Sequence, residues 1–315
     1  MSSIYHYPQT RENPPNKNKR FFTGWWITVQ KTHLIHPTFS LQTLKNHATI
    51  GKIFVCWIAM IDNVITYEQP LNELIRVCLR LEQLFDQVDH QIQDTSVFGT
   101  RNMIVLVINI LQLLERPDLK AKLAKELTHQ IQLLTKLQKT PEIDHVKLDE
   151  LLAQLNDLSR WFIESSGRIG QHLREIELLN NLRLHLATPG GGCSFDIPVY
   201  HYWLQQPPEK RVEVIKSWLT EFNKIRLANE LVLKLVREES KTHQKTAANG
   251  FHQELLDPQT NLRLVRVMVP QNIATYPEIS LGRHFLSIRF YTPTILERPT
   301  QYPHNLSFWL SYCTS

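Results

Sequence analysis

The stretch PGGGCSFDIP, from Pro189 to Pro198, constrains the fold of this chain more than any other. A leucine-rich helical pattern runs into it, and an aromatic run, Tyr200-His201-Tyr202-Trp203, leaves it. Three consecutive glycines, Gly190 to Gly192, end a helix and let the backbone adopt positive φ. Asp196 then stands where a new helix could begin, with Pro198 near its first turn. The stretch reads as a rigid corner between two blocks of helix. The competing reading is a phosphate cradle. That needs a strand before the glycines and, in the P-loop, a Lys-Ser/Thr after them. Here a helix leads in and Cys-Ser-Phe-Asp leads out.

The blocks on either side carry helical spacing. A short β-like piece, Val64 to Tyr67, leads to Gln69-Pro70, which reads as a helix start. The next helix places Leu71, Leu74, Cys78, Leu81, Phe85, Val88 and Ile92 at alternating steps of three and four. That spacing suits a core helix and also a coiled-coil seam between two copies. A second helix is expected from about Thr100 to Glu115, apolar all round and so buried. Others follow at about 118–138, 144–164 and 169–186, with Thr140-Pro141 and Ser165-Ser166-Gly167 as breaks. After the corner, 198–204 makes a short helix, and Pro207-Pro208 opens further helix to about Glu239.

The texture changes after Ser240. Short alternating or β-rich runs appear at Leu262 to Val269, His284 to Tyr291 and Leu306 to Tyr312, divided by turn signals such as Asn249-Gly250 and Tyr276-Pro277. Helices first and antiparallel strands last define an α+β chain, a mainly α-helical domain followed by a smaller antiparallel β-strand domain. The expected boundaries are 60–240 for the helical domain with its dimerisation helix, and 241–315 for the strands.

The chain has 315 residues and a net charge of +5. Of its 35 Lys/Arg and 30 Asp/Glu, seven and one fall within residues 1–59, leaving 28 and 29 for the remainder. The basic excess therefore belongs to the first segment and gives the rest no general affinity for nucleic acid. Residues 1–59 are polar, proline-interrupted and without clear period, and read as a poorly structured leader. Met60 stands at the composition break, and the expectation is that the native protein starts there. No apolar run approaches the roughly 20 residues that span a membrane. Cys56, Cys78, Cys193 and Cys313 form no CxxC pair, so neither a zinc site nor a disulfide framework is indicated.

Catalytic patterns are absent: no Walker motif, no dinucleotide fingerprint, no HExxH. Cys193 and His201 could form a thiol–imidazole pair only through geometry that no local signature supports. No cofactor or metal is expected, and the chain reads as a non-enzyme. More informative are basic residues near aromatic ones. Arg168, Arg174 and Arg183 precede the corner. Lys241, Lys245, Arg263, Arg266, Arg283 and Arg289 lie in the β-rich part. Arg283 and Arg289 share one face of a strand. With Tyr202, Trp203 and Phe290 these could line a groove for an extended acidic peptide. Dispersed surface arginine is the plainer reading.

Several blocks carry a family likeness: YEQPLNELIRVCLRLE (67–82), RIGQHLRE (168–175), PGGGCSFDIP with His201 and Trp203, NGFHQ (249–253), and YPEIS followed by SIRF (276–280 and 287–290). In this order, over nearly all of residues 60–315, the chain resembles the ZapD family of Z-ring-associated cell-division proteins. The resemblance implies a homodimer in the cytoplasm at the mid-cell division site, without enzyme activity. It implies binding to the C-terminal tail of the tubulin-like GTPase FtsZ and cross-linking of FtsZ filaments into bundles. A dimer offers two tail sites, and bivalency then supplies cross-linking.

The resemblance also marks residues. Arg80 matches a family arginine in the first helix, Arg174 one in the RIGQ block, and His201 the histidine after the corner. Arg289 matches the arginine of the last IRF strand, and Arg283 replaces a nearby lysine. Glu177 and Phe285 depart from the pattern, each where an arginine is expected. The departures shift the tail contact onto Lys245, Arg183 or His284. Membrane insertion and nucleic-acid binding are not implied. The alternative function is a nucleic-acid binder with a basic, aromatic groove, and a third reading is a thiol enzyme using Cys193.

Overall fold

The first described strand, β1 (Val64–Pro70), is separated by most of the chain from the strand it pairs with. The computed structural model describes residues 63–138, 144–257 and 259–314, all within the unit Met60–Ser315. The expectations about residues 1–59, the start at Met60 and the Thr140-Pro141 break lie outside the described residues.

Gln69-Pro70 does not open a helix. It ends β1, with Pro70 opposite Leu264. The helix starts later because Asn72 caps it, its side chain accepting the Ile75 amide at 2.8 Å. In α1 (Glu73–Gln91), Cys78, Leu81, Phe85 and Val88 are all buried. Two helices cover them, α2 (Val97–Leu113) and the late α9 (Asn223–Glu238). Most of the heptad-spaced stripe is thus buried in the chain's own core. Helix α2 begins three residues before the expected start, since Ser96 accepts the Gly99 amide at 3.0 Å.

Next come α3 (Leu119–Leu137) and α4 (His145–Glu164), which pack on each other. The single helix expected over 169–186 is two, α5 (Gln171–Glu175) and α6 (Glu177–His185), broken where Ile176 takes ψ 110°. The Arg174 carbonyl at the break accepts from Asn180 Nδ2 at 2.6 Å. Beyond the corner, α7 (Pro198–Leu204) falls where expected, followed by α8 (Pro208–Thr220) and α9.

The corner is built as a closed turn. Gly190 and Gly192 have φ of +74° and +83°. Gly191 approaches the His185 carbonyl so closely that a Cβ would lie 1.9 Å from its oxygen. Asp196 does not cap the next helix as expected. Its Oδ2 accepts the amides of Gly192 and Cys193, each at 3.0 Å. A bound phosphate would need those same amides, so the turn already holds its own anion.

The remaining strands are β2 (Lys241–Ala247), β3 (Phe251–Leu255), β4 (Leu262–Pro270), β5 (Tyr276–Leu281), β6 (Phe285–Thr292), β7 (Thr300–Gln301) and β8 (Leu306–Thr314). All pairings are antiparallel, and the α+β class holds. One sheet has the order β1-β4-β8-β2. The other has the order β3-β6-β5, with β7 also on β6. Strand alternation turns Val265, Val267, Phe308 and Leu310 of the first toward Leu286, Ile288 and Phe290 of the second, giving a sandwich core. The opposite face of the first sheet meets the helices, where Leu264 and Cys313 join the helical core.

Ion pairs fasten that joint. Arg237 of α9 reaches Glu68 of β1 and Glu82 of α1, each at 2.7 Å, and Arg266 of β4 reaches Glu68 at 2.9 Å. A bulge in β4 between Leu262 and Leu264 leaves Arg263 as the extra residue, and its guanidinium pairs with Glu126 of α3 at 2.6 Å.

Candidate functional site

Two basic surfaces emerge. The first surrounds the end of α2. Gly170, with φ +71°, precedes α5, and a Cβ there would lie 2.7 Å from Leu111 Cδ2. Only a glycine lets α5 settle this closely onto α2. The approach carries Arg174 to the helix end, where its Nη2 donates to the Leu111 carbonyl at 2.6 Å. Its Nη1 pairs with Glu115 Oε1 at 2.9 Å, and Arg183 Nη1 binds the same oxygen at 2.9 Å. Arg168 completes the wall of a cleft of about 370 Å³ floored by Leu173 and Leu179. Three arginines thus face one glutamate. Burial lowers the Arg174 pKa from its ordinary value, while Glu115 pulls it back up.

The next residue, Arg116, turns the other way and pairs with Glu73, which also holds Arg76 at 2.7 Å. The hydrogen bond from Arg116, with the nearby charges of Arg116 and Arg76, holds the exposed Glu73 carboxyl below the usual range. Arg80 lies one turn beyond Arg76, exposed and with no ion pair among the described residues.

The second surface is the outer face of the sheet formed by β3, β6 and β5. Phe285, Ser287, Arg289 and Tyr291 point outward from β6 while Leu286, Ile288 and Phe290 point into the core. Arg289 stands exposed over the ring of Phe251, 5.7 Å from its centroid. It too makes no ion pair among the described residues. Arg283 is exposed at the turn between β5 and β6.

The structure therefore divides the sequence-named residues. Arg174 lies at the end of α2, Arg80 is exposed on α1, His201 is exposed on α7, and Arg283 and Arg289 sit at the second surface. Lys245 belongs with neither group, because it pairs with Glu254 at 2.7 Å. Glu254 also accepts from the Tyr312 hydroxyl and lies 3.1 Å from His252 Nε2. Burial alone would raise its carboxyl, but these bonds, that to Lys245 foremost, hold it below the ordinary value. Sequence reasoning missed Glu115 and Phe251, whose roles arise from partners far along the chain. Phe290, expected in a groove, is fully buried. Cys193 gives its thiol to the Gly190 carbonyl at 3.2 Å, and no hydrogen bond joins it to His201.

A family model described as ZapD, cell division protein, matches residues 79–289. The chain belongs to the ZapD family. Among curated ZapD proteins, that of Coxiella burnetii is 36% identical over 256 residues, spanning 81% of this chain and 99% of the relative. That of Methylococcus capsulatus is 38% identical over 251 residues, covering 80% and 98%. That of Nitrosomonas europaea is 36% identical over 257 residues, covering 81% and 97%. Each is named a cell division protein, and the ZapD match takes in Arg80, the Glu115 cluster, the glycine corner and Arg289. No helix among the described residues is long and apolar enough to cross a membrane.

Proposed function

We infer that this ZapD-family chain binds the C-terminal tail of FtsZ and, as a bivalent homodimer, bundles FtsZ filaments to support Z-ring assembly. The reading is non-enzymatic and places the protein in the cytoplasm at the division site. Arg289, unpaired on an open sheet face and backed by an aromatic ring, carries it. An acidic tail finds a free guanidinium there, without first breaking an internal ion pair.

Each exposed ion pair contributes only about 0–1 kcal/mol, so a tail site needs several contacts and weakens with salt. The cleft at Glu115 offers the second group of arginines, at the expense of competing with Glu115 itself. The nucleic-acid reading loses support because Arg76, Arg116, Arg174, Arg183 and Arg237 are each held by a carboxylate. The division into residues 1–59, a helical 60–240 and a strand-bearing 241–315 is proposed on the same family likeness, with β1 lent to the later part.

Co-sedimentation of the full chain with GTP-assembled FtsZ, with and without the FtsZ tail, tests the function. Tail-dependent pelleting and bundling are expected. Absence of pelleting with intact FtsZ would overturn the reading.

A further inference from the structure

On the outer face that carries Arg289, one end is apolar. Leu255 of β3 pairs in register with Phe285 of β6, so the two side chains stand side by side on that face. Leu255 is 86% exposed and Phe285 44%, far more than isolated packing residues of a sandwich. The Phe285 ring lies against Gly282, where a Cβ would come within 3.2 Å of it. The missing side chain leaves room for the ring against the turn. Phe251 and Arg289 stand opposite each other further along the same two strands.

We propose that Leu255 and Phe285 form an apolar subsite that, together with Arg289, selects an extended acidic segment carrying one large apolar side chain. The inference rests on the tail-binding reading and adds what that tail must contain. Phe285 and Arg289 are four residues apart on β6, about 13 Å at the rise of a strand. An extended peptide covers that distance in the same number of residues and turns alternate side chains to one side. A carboxylate on Arg289 therefore brings the side chain four positions away onto Phe285 and Leu255.

Charge complementarity favours this occupant. Arg289 has no ion pair among the described residues, and Arg283 and His284 are exposed beside the apolar pair. Glu278 faces Arg289 in register from β5 but does not pair with it. A purely apolar partner would leave Arg289 desolvated and unpaired, and a purely acidic one would leave Leu255 and Phe285 in water. The phenylalanine thus replaces reach for charge with reach for an apolar group, in a position where the family likeness anticipates arginine.

The test is fluorescence anisotropy of a labelled FtsZ C-terminal tail peptide against the full chain and its Phe285→Ser, Leu255→Ser and Arg289→Ala variants. Peptides in which each large apolar residue is replaced in turn by serine complete the cycle. Phe285→Ser and Leu255→Ser are each expected to weaken the native peptide about tenfold, as for loss of a large apolar contact. The weakening should vanish against one serine peptide, which identifies the residue in the subsite. Unchanged affinity in both serine variants, with loss in Arg289→Ala, would overturn the subsite and leave tail binding standing. Failure of the unaltered chain to bind any tail peptide would remove the reading beneath it. A fall in mass from dimer to monomer in Phe285→Ser would overturn the proposal by assigning the face to a second copy.

Discussion

Asp196 folds its carboxylate back onto the amide of Gly192, accepting it at 3.0 Å. The bond locks a turn that needs positive φ at Gly190 and Gly192. Alanine at Gly190 meets open space, so its cost is the left-handed backbone alone, about 1 kcal/mol. Alanine at Gly192 adds a contact at 3.0 Å with Leu186. Gly192→Ala is expected to lose about 2 kcal/mol, twice the effect of Gly190→Ala. Urea unfolding of the two variants measures the difference.

Arg237 ties α9 to both β1 and α1 through two carboxylates. Burial lowers its pKa, yet the bonds from Glu82 and Glu68 more than offset that and leave it raised. Arg237→Ala strands Glu68 and Glu82 together in a half-buried joint. A loss of about 2–3 kcal/mol is expected, below the full figure for buried pairs because the groups keep some water. Glu82→Gln in the same background should recover part of it. Chemical denaturation of the single and double variants tests both.

Glu254 gives a pH dependence. Its folded carboxyl lies below the ordinary value, so at acid pH the unfolded chain binds the extra proton. Its contribution is complete above the unfolded value, about 4.3, and disappears as pH falls through the folded value. Glu254→Gln is expected to lower the melting temperature at pH 7, by the equivalent of about 1–2 kcal/mol. The gap to the unaltered protein should narrow as pH falls below about 4.3 and close only below the depressed folded value. A gap that persists there would mean the carboxylate charge is not what matters.

Arg174 and Arg289 separate by role. Arg174→Glu places a carboxylate against Glu115 and frees the Leu111 carbonyl, so it should destabilise the fold as well as impair bundling. Arg289→Glu breaks no ion pair among the described residues, though it gives up the Phe251 contact and sets a carboxylate opposite Glu278, so it should impair bundling with only a small fall in melting temperature. Light scattering with FtsZ, alongside thermal melts and dimer mass, distinguishes the two.

Thiol labelling gives a further check. Burial pushes Cys78 up to about 12 and Cys313 up to about 11, while Cys193 is exposed. In the native protein an alkylating reagent is expected to mark Cys193 well before the other two. Peptide mapping by mass spectrometry reads the order directly.

Elements with an internal period were legible in the sequence. Helix α7 was anticipated at its own bounds because Pro198 fixes its first turn, and β4, β6 and β8 announced themselves by apolar alternation. Strand β2, KTHQKTA, was not visible, since it is a polar edge strand whose pairing with β8 supplies what its composition lacks. Strand β5 was hidden by Pro277, which an edge position tolerates. The arginines of the site were nameable, but their availability was not. Arg174 is spent on Glu115, 59 residues away, and Lys245 on Glu254 of the neighbouring sheet, while Arg289 makes no ion pair among the described residues. Such pairings are properties of the folded neighbourhood and leave no local signature.

The position of β8 between β4 and β2 has a consequence for how the protein is made. The latest of the described strands is the one that joins β2 to the rest of its sheet. Until then β1 and β4 form an open ribbon with an unsatisfied edge, and β2 has no ladder to enter. The helices and the Arg237 contacts with Glu68 and Glu82 can form once α9 is made, but the sheet behind them stays open until β8 arrives. A message truncated shortly before β8 would yield helices on an unclosed sheet, a species suited to prompt recognition by proteases.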